Sequence, residues 1–186
     1  MTFAKKMMTA TAALALTAGA AFADEMKNPM VGGAEMFADK NIVENAVNSA
    51  DHTTLVAAVK AAGLVDTLAG EGPFTVFAPT NDAFAELDMP LQGEEAQAAR
   101  VAILREHIVP GFLTREDIAG AIDGAGGSGE MQTMGSNTLT FTKDGDTLVV
   151  ASSDGTQARV SGTAISGANG TVFPVDGVLK SLDAPG

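Results

Sequence analysis

Two histidines, His52 and His107, are the side chains best suited to proton transfer near neutral pH, and they stand far apart in the sequence. A nucleophilic serine is often presented by a G-x-S-x-G turn. The nearest run, Gly126-Gly127-Ser128-Gly129-Glu130, fails at its last position. The chain has no cysteine, which excludes a catalytic thiol, a thiolate metal site and disulfides. We therefore predict that the protein is not an enzyme and has neither catalytic residues nor a cofactor.

Three aspartates, Asp144, Asp146 and Asp154, have a spacing that could gather around calcium, which takes six to eight oxygen ligands. The run lacks the glycine at the sixth position and the closing glutamate of an EF-hand loop. Aspartate beside glycine is also favoured in tight turns for conformational reasons alone. We predict no metal site.

Any site on this chain must be positioned by the uncharged run Phe74-Thr75-Val76-Phe77-Ala78. Its apolar residues occupy both parities, which is typical of a strand buried on both faces in the middle of a sheet. Pro79 should end this strand, because proline cannot donate a hydrogen bond to a neighbouring strand.

A helix is predicted directly after this strand. Thr80 stands at the N-cap position, and Asn81 and Asp82 place polar and negative groups at the positive end of the helix dipole. Phe84 and Leu87 lie three residues apart and should face the core.

This strand–helix stretch resembles a known family. The run TVFAPTNDAF is similar to the first signature of the fasciclin domain, an extracellular adhesion and binding module, and VSGTAISGANGTVFPVDGVL resembles the second. The resemblance implies one α+β domain over residues 40–184, a wedge of two β-sheets with a layer of helices along one edge. The residues that we assign to the structural motif are Phe74, Val76, Phe77, Pro79, Thr80, Asn81, Phe84, Asn169, Gly170 and Asp176.

The resemblance also implies candidate binding residues. Family members carry a Tyr-His pair, linked to adhesion and to structure, where this chain has Glu106-His107. Animal members often carry an Asp-Ile pair, linked to integrin recognition, where this chain has Ala164-Ile165. Glu106, His107 and Ile165 are therefore the candidates. Because the tyrosine and the aspartate are replaced, we do not predict an integrin ligand, and we expect His107 to be packed and hydrogen-bonded.

Hydrophobic spacing and capping signals predict further helices. They cover Asn41–Ser49, Thr53–Ala62 with Asp51 as its cap and Gly63 at its end, Glu94–Glu106, and a short helix from the Thr114-x-x-Asp117 capping box to Ile122. In the third of these, Ala98, Val101, Ala102 and Leu104 should face inward.

Strands are predicted over Thr138–Lys143, Thr147–Ala151, Gln157–Ser161 and Thr171–Val175. Asn169-Gly170 is the strongest turn signal in the chain, and the glycine-rich run from Gly124 to Gly129 is predicted to be a flexible connection.

The N-terminus has the features of a bacterial signal peptide. Lys5 and Lys6 precede an alanine-rich apolar run, and Ala21-Phe22-Ala23 fits the small-x-small cleavage rule. The run is too short and too rich in alanine for a membrane anchor. We predict a signal peptide at residues 1–23 and a flexible lead-in at residues 24–39.

A net charge of −12 argues against nucleic acid or an anionic membrane surface as partner. We predict a soluble, non-catalytic adhesion or binding module that is secreted or periplasmic and does not insert into a membrane. A cell-surface or matrix protein, a glycan and a second copy of the chain all stay open as partners. The alternative is a carrier of an apolar small molecule such as a lipid or pigment, for which methionine offers an adaptable apolar surface.

Overall fold

The protein has an α+β fold in which short helices dominate the first half of the chain and antiparallel strands the second. A computed structural model describes residues 28–87, 96–135 and 137–180. The helices are α1 (Ile42–Ala46), α2 (Thr53–Ala61), α3 (Val65–Ala69), α4 (Asn81–Ala85), α5 (Gln97–Glu106) and α6 (Arg115–Gly124), with a 3-10 turn at Ala50–His52. The strands are β1 (Met30–Val31), β2 (Ala34–Glu35), β3 (Phe74–Pro79), β4 (Ile108–Pro110), β5 (Ser128–Gln132), β6 (Thr138–Asp144), β7 (Thr147–Ala151), β8 (Gln157–Arg159), β9 (Ile165–Gly167) and β10 (Gly170–Val175).

Two four-stranded sheets form the wedge. Sheet I has the order β4-β3-β10-β9, and sheet II is the meander β5-β6-β7-β8. Strands β3 and β10 run parallel, in register from Phe74 opposite Gly170 to Pro79 opposite Val175, and every other pair in the two sheets is antiparallel. The two family signatures are therefore neighbouring strands at the centre of sheet I.

Strand β3 is buried on both faces, as predicted. Val76 and Ala78 pack among the helices, and Phe77 points between the two sheets and is fully buried. The ring of Phe77 stacks on that of Phe173 at 5.5 Å between centroids and meets that of Phe141 at 5.4 Å. These three aromatic rings hold sheet I against sheet II.

The predicted junction after β3 is confirmed. Thr80 is the N-cap of α4, and its side-chain oxygen accepts a hydrogen bond from the Ala83 amide at 3.4 Å. Phe84 is buried, and Leu87, which lies beyond the end of α4, packs against the same core.

The prediction that Asp51 caps α2 is wrong. His52 occupies the N-cap position without a side-chain cap, and the free amide of Thr54 donates instead to Oδ1 of Asn81 at 3.0 Å. The Asn81 amide nitrogen donates in turn to the Ala50 carbonyl at 2.8 Å. A motif residue from α4 thus supplies the cap of α2 through a tertiary contact.

The predicted inward face of α5 is also wrong, apart from Leu104. Ala98 is exposed and Val101 and Ala102 are half-buried, whereas the sequence AARVAILRE turns Ala99, Arg100 and Ile103 inward. Apolar residues occur on nearly every side of this helix, so the periodicity does not define one stripe. Packing against the rest of the molecule selects the face.

Helix α6 begins as predicted but extends further. Thr114 and Asp117 form a capping box with both reciprocal bonds. The Thr114 amide and the Thr114 hydroxyl both donate to the Asp117 carboxylate, and these two bonds lower its pKa. The connection predicted at Gly124–Gly129 is shorter than expected: α6 runs to Gly124, and β5 starts at Ser128.

The turn predicted at Asn169-Gly170 lies one residue earlier, at Ala168-Asn169, because Gly170 already pairs with Gly167. The Asn169 side chain is buried. Its Oδ1 accepts from the Ile42 amide at 3.0 Å, and its Nδ2 donates to the carbonyls of Leu68 and Gly70 at 2.7 Å each.

Position 170 must be glycine, because the backbone of Phe74 lies too close to leave room for a side chain. A Cβ at this position would lie 2.0 Å from the Phe74 carbonyl oxygen.

Asp176, at the other end of β10, accepts from the Arg159 amide at 2.6 Å and so joins the two sheets.

Residues 28–39 contribute to the folded core. Strands β1 and β2 form a hairpin, and Met36, which follows it, is buried among the helices. The predicted signal peptide at residues 1–23 and the chain end at residues 181–184 lie outside the described residues, as does the part of the predicted helix at Glu94 and Glu95.

Candidate functional site

His107 links the end of α5 to Leu179, near the C-terminal end of the described residues. It follows the last residue of α5, and its ring is 1% exposed. Nδ1–H donates to the Ile103 carbonyl at 2.8 Å, and Nε2 accepts from the Leu179 amide at 2.9 Å. This pair of bonds fixes the neutral tautomer and uses both ring nitrogens. The expectation of a packed, hydrogen-bonded imidazole is confirmed.

Burial lowers the pKa of His107 to about 4, against the weaker effect of the Ile103 carbonyl, which raises it. The imidazole is therefore neutral at physiological pH. A general acid–base group works best with a pKa near the operating pH and with one nitrogen free to reach a substrate. His107 has neither property.

Glu106 points to a different neighbourhood. Its carboxylate accepts from Nδ2 of Asn137 at 2.8 Å and from the Thr133 hydroxyl at 3.3 Å, and the side chain is buried. A Cβ at Gly135 would lie 2.3 Å from Oε1 of Glu106, so the chain passes close over the carboxylate. Glu106 therefore holds the segment between β5 and β6.

Ile165 is buried in the core that the helices form with sheet I. It shares an apolar cavity of about 40 Å³ with His107 and with the second histidine, His52. The fold thus brings the two histidines to one cavity, which Glu106 does not line. All three candidate binding residues are buried, so their role in binding stays a prediction, and none presents its side chain to a partner in this conformation.

A buried Ser49–His52 pair also borders this cavity. Ser49 Oγ lies 2.8 Å from Nδ1 of His52, and Nε2 of His52 has no hydrogen-bond partner among the described residues. Burial has the largest effect on the pKa of His52 and lowers it, while the nearby Asp51 carboxylate acts in the opposite direction. The pair has the chemical types of a hydrolytic dyad, but a cavity of this size holds little more than water.

A larger and more polar cleft lies at the N-terminus of α6. It has a volume of about 470 Å³. We call it the hydroxyl cleft, and it is lined by Thr114, Arg115, Glu116, Gly162, Thr163, Ala164, Ser166 and Thr171. The sequence alone does not indicate this cleft, because its residues come from α6, from the segment before β9 and from β9 and β10. The one available signal was Ala164, which directly precedes the candidate Ile165.

Within the described ranges, no group of three histidine, aspartate or glutamate side chains could hold a metal ion. Asp154, one of the three aspartates considered for calcium, bonds its own turn through Thr156, and Asp144 pairs with Arg159 at 3.3 Å. None of the described helices is long and apolar enough to cross a membrane.

Comparisons with known proteins identify the family of this chain. The fasciclin domain model matches residues 50–181. The chain is 39% identical over 158 residues to protein sll1483 of Synechocystis sp., with 82% of this chain and 80% of that protein covered. It is 34% identical over 141 residues to immunogenic protein MPB70 of Mycobacterium bovis, with 72% of this chain and 65% of that protein covered.

An animal relative and a solved structure extend the comparison. Transforming growth factor-beta-induced protein ig-h3 of Sus scrofa is 33% identical over 134 residues, which are 68% of this chain and 17% of that protein. The FAS1 domain pair of the insect cell adhesion molecule Fasciclin I superposes with a TM-score of 0.66 at 17% identity, over 75% of this chain and 50% of that chain, and shows the same fold. Because the family model covers most of the chain and its two signatures form the paired strands β3 and β10, the protein belongs to the fasciclin domain family.

Proposed function

We propose that the protein is an exported, non-catalytic binding module that attaches to material at the cell surface. The observation that carries this proposal is the contrast between its two kinds of site. Both ring nitrogens of His107 are bound to backbone groups inside the core, whereas the hydroxyl cleft faces solvent with polar side chains. The fold is shared with a cell adhesion molecule of insects, which supports adhesion for this chain as well.

An attachment assay tests this function. The purified mature protein is incubated with envelope material from its own host, and the retained fraction is measured against an acidic protein of similar size and charge. We expect saturable retention that does not depend on any cofactor. Retention no greater than that of the control, or turnover of a substrate that is lost on replacing Ser49, would contradict the proposal.

The alternative function, an apolar carrier, rests on the cavity that His52, His107 and Ile165 share. Its volume of about 40 Å³ is small. An apolar cavity of about 150 Å³ is needed to hold benzene, so a lipid or pigment would require the helices to separate from sheet I. Native mass spectrometry of protein purified from its own host decides between the two: a mass above that of the bare chain would favour the carrier.

A further inference from the structure

One buried hydroxyl in the hydroxyl cleft lacks a hydrogen-bond partner among the residues that the structure describes. Thr171 is 1% exposed, lines the cleft, and its Oγ1 makes no hydrogen bond within the described part of the chain. Its neighbour across sheet I provides the comparison. Thr75, in register with Thr171, donates its hydroxyl to the Gly111 carbonyl at 2.8 Å and accepts from the Leu113 amide at 3.0 Å. A buried hydroxyl without a partner is costly, so the unpaired hydroxyl of Thr171 points to a ligand group.

The N-terminus of α6 adds donors to the same cleft. The capping box uses the amide of Asp117, while the amides of Arg115 and Glu116 belong to the first turn, where a helix offers no internal acceptor. Ser166 stands opposite Thr171 in the pairing of β9 with β10, so their side chains lie on one face of sheet I. The cleft is therefore lined both by the hydroxyl residues Thr171 and Ser166 and by the first turn of α6.

The functional groups of the cleft define a ligand class. Hydroxyls can donate and accept, the Arg115 guanidinium only donates, and the Glu116 carboxylate only accepts. One positive and one negative side chain offset each other, and the net charge of −12 disfavours the approach of an anion. A volume of about 470 Å³ is in the usual range of small-molecule sites. A neutral polyol that presents many donors and acceptors matches this set.

We propose that the hydroxyl cleft binds a neutral saccharide unit, with a sugar hydroxyl bonded to Thr171. This inference deepens the proposed function, on which it rests for the assumption that the ligand belongs to a surface glycan. The cleft residues Thr163 and Ser166 are exposed at its rim and would contact further hydroxyls of the same sugar.

A glycan array of neutral and charged oligosaccharides tests the ligand class with the purified mature protein. We expect binding to neutral glycans. An NMR titration with the best neutral oligosaccharide should then shift the amide signals of Arg115, Glu116, Thr163 and Ser166. Inorganic phosphate, titrated in parallel, should leave these signals unchanged. The proposal would be overturned if no neutral glycan on the array bound. It would also be overturned if the amide shifts were confined to another surface, or if phosphate alone caused them.

The Thr171→Val variant removes the buried hydroxyl while keeping the shape of the side chain. Since Oγ1 has no partner in the described part of the chain, we expect the denaturant midpoint to stay the same or rise. Affinity for the neutral glycan should fall about tenfold, the equivalent of one hydrogen bond. Thr142→Val, on β6 outside the cleft, is the matched control and should bind as wild type. Ser166→Ile fills the rim at an exposed strand position and should also weaken binding.

The same variants separate this inference from the proposed function. If Thr171→Val and Ser166→Ile bind neutral glycans as wild type does, the cleft assignment is wrong, even though attachment to envelope material persists. If the cleft variants lose glycan binding but wild type shows no attachment to envelope, the saccharide site stands and the adhesion function fails.

Discussion

His107 joins the end of α5 to Leu179 through hydrogen bonds at both ring nitrogens. The family pair linked to adhesion is reduced here to this histidine and the buried Glu106, which bonds Asn137 and Thr133. The two side chains thus join three separate parts of the chain. Both side chains therefore contribute contacts to the fold in the described conformation.

We predict that acid weakens the fold through His107. Its pKa is about 4 in the folded protein and about 6.5 when unfolded, so only the unfolded chain takes up the proton between these values. Stability is therefore complete above about pH 6.5 and is lost as the pH falls towards 4; between pH 7 and 5 this one group removes about 2 kcal/mol. Urea unfolding at both pH values measures it.

The His107→Leu variant is the control for this prediction. It should be less stable than wild type near neutral pH, because the Leu179 amide loses its acceptor. Its stability should also depend less on pH across the same window. An unchanged pH dependence in the variant would show that His107 is protonated as readily in the folded chain as in the unfolded one.

Asn169 gives a second prediction at the scale of the residue. Its side chain makes three bonds to backbone groups of Ile42, Leu68 and Gly70, so Asn169→Ala should lower the free energy of unfolding by about 3 kcal/mol. Asn48→Ala is the matched control, since Asn48 is exposed and its side chain donates one hydrogen bond, to the Glu44 carbonyl; we expect a change within about 0.5 kcal/mol. Equal denaturant midpoints for the two variants would refute this role.

At the scale of elements, the parallel pair β3–β10 carries the structure. Its residues face the helices on one side and sheet II on the other, so both hydrophobic cores depend on it. Asn81 and Asn169, which lie at the two ends of this pair, cap α2 and tie down α1 and α3. The family signatures therefore encode the contacts that attach the helices to the sheet.

Phe77→Ala tests the central position of β3. Phe77 is fully buried and contacts the rings of Phe141 and Phe173, so truncation should cost about 3–5 kcal/mol. Phe74→Ala, at the half-buried start of the strand, should cost less, and Phe112→Ala, at 47% exposure, should be close to neutral. Chemical denaturation ranks the three variants. A Phe77→Ala midpoint equal to that of Phe112→Ala would mean that the two sheets do not pack through this ring.

At the scale of the whole molecule, the fold and the acidity are both consistent with the predicted export. The net charge of −12 discourages association with nucleic acid and anionic membranes. The wedge of two sheets leaves the hydroxyl cleft open to solvent at the N-terminus of α6, while both histidines lie in the interior. This arrangement suits the proposed binding function, since the core residues are separate from the residues that line the cleft.

Export itself is a direct prediction. Ala21 and Ala23 satisfy the signal peptidase, so N-terminal sequencing of protein purified from its host should begin at Asp24. Fractionation should recover this mature chain from the periplasm or the medium. Recovery of a chain that still begins at Met1 in the membrane fraction would contradict both the cleavage and the proposed location.

The sequence by itself determined the features that depend on a few neighbouring residues. The buried strand at β3, the caps at Thr80 and Thr114 and the left-handed Gly63 after α2 were all predicted, because burial on both faces, N-capping and positive φ each leave a local signature. The family, and through it the α+β wedge, followed from the two signatures.

Only the tertiary structure decided which distant groups meet. The inward face of α5, the role of Asn81 as cap of α2, the three bonds of Asn169 and the link from His107 to Leu179 all join parts of the chain far apart in sequence. The hydroxyl cleft has the same origin, since α6, β9 and β10 each supply part of it. A hydroxyl such as that of Thr171 has no local property that marks it as unpaired; its neighbours across the sheets decide whether a partner is within reach.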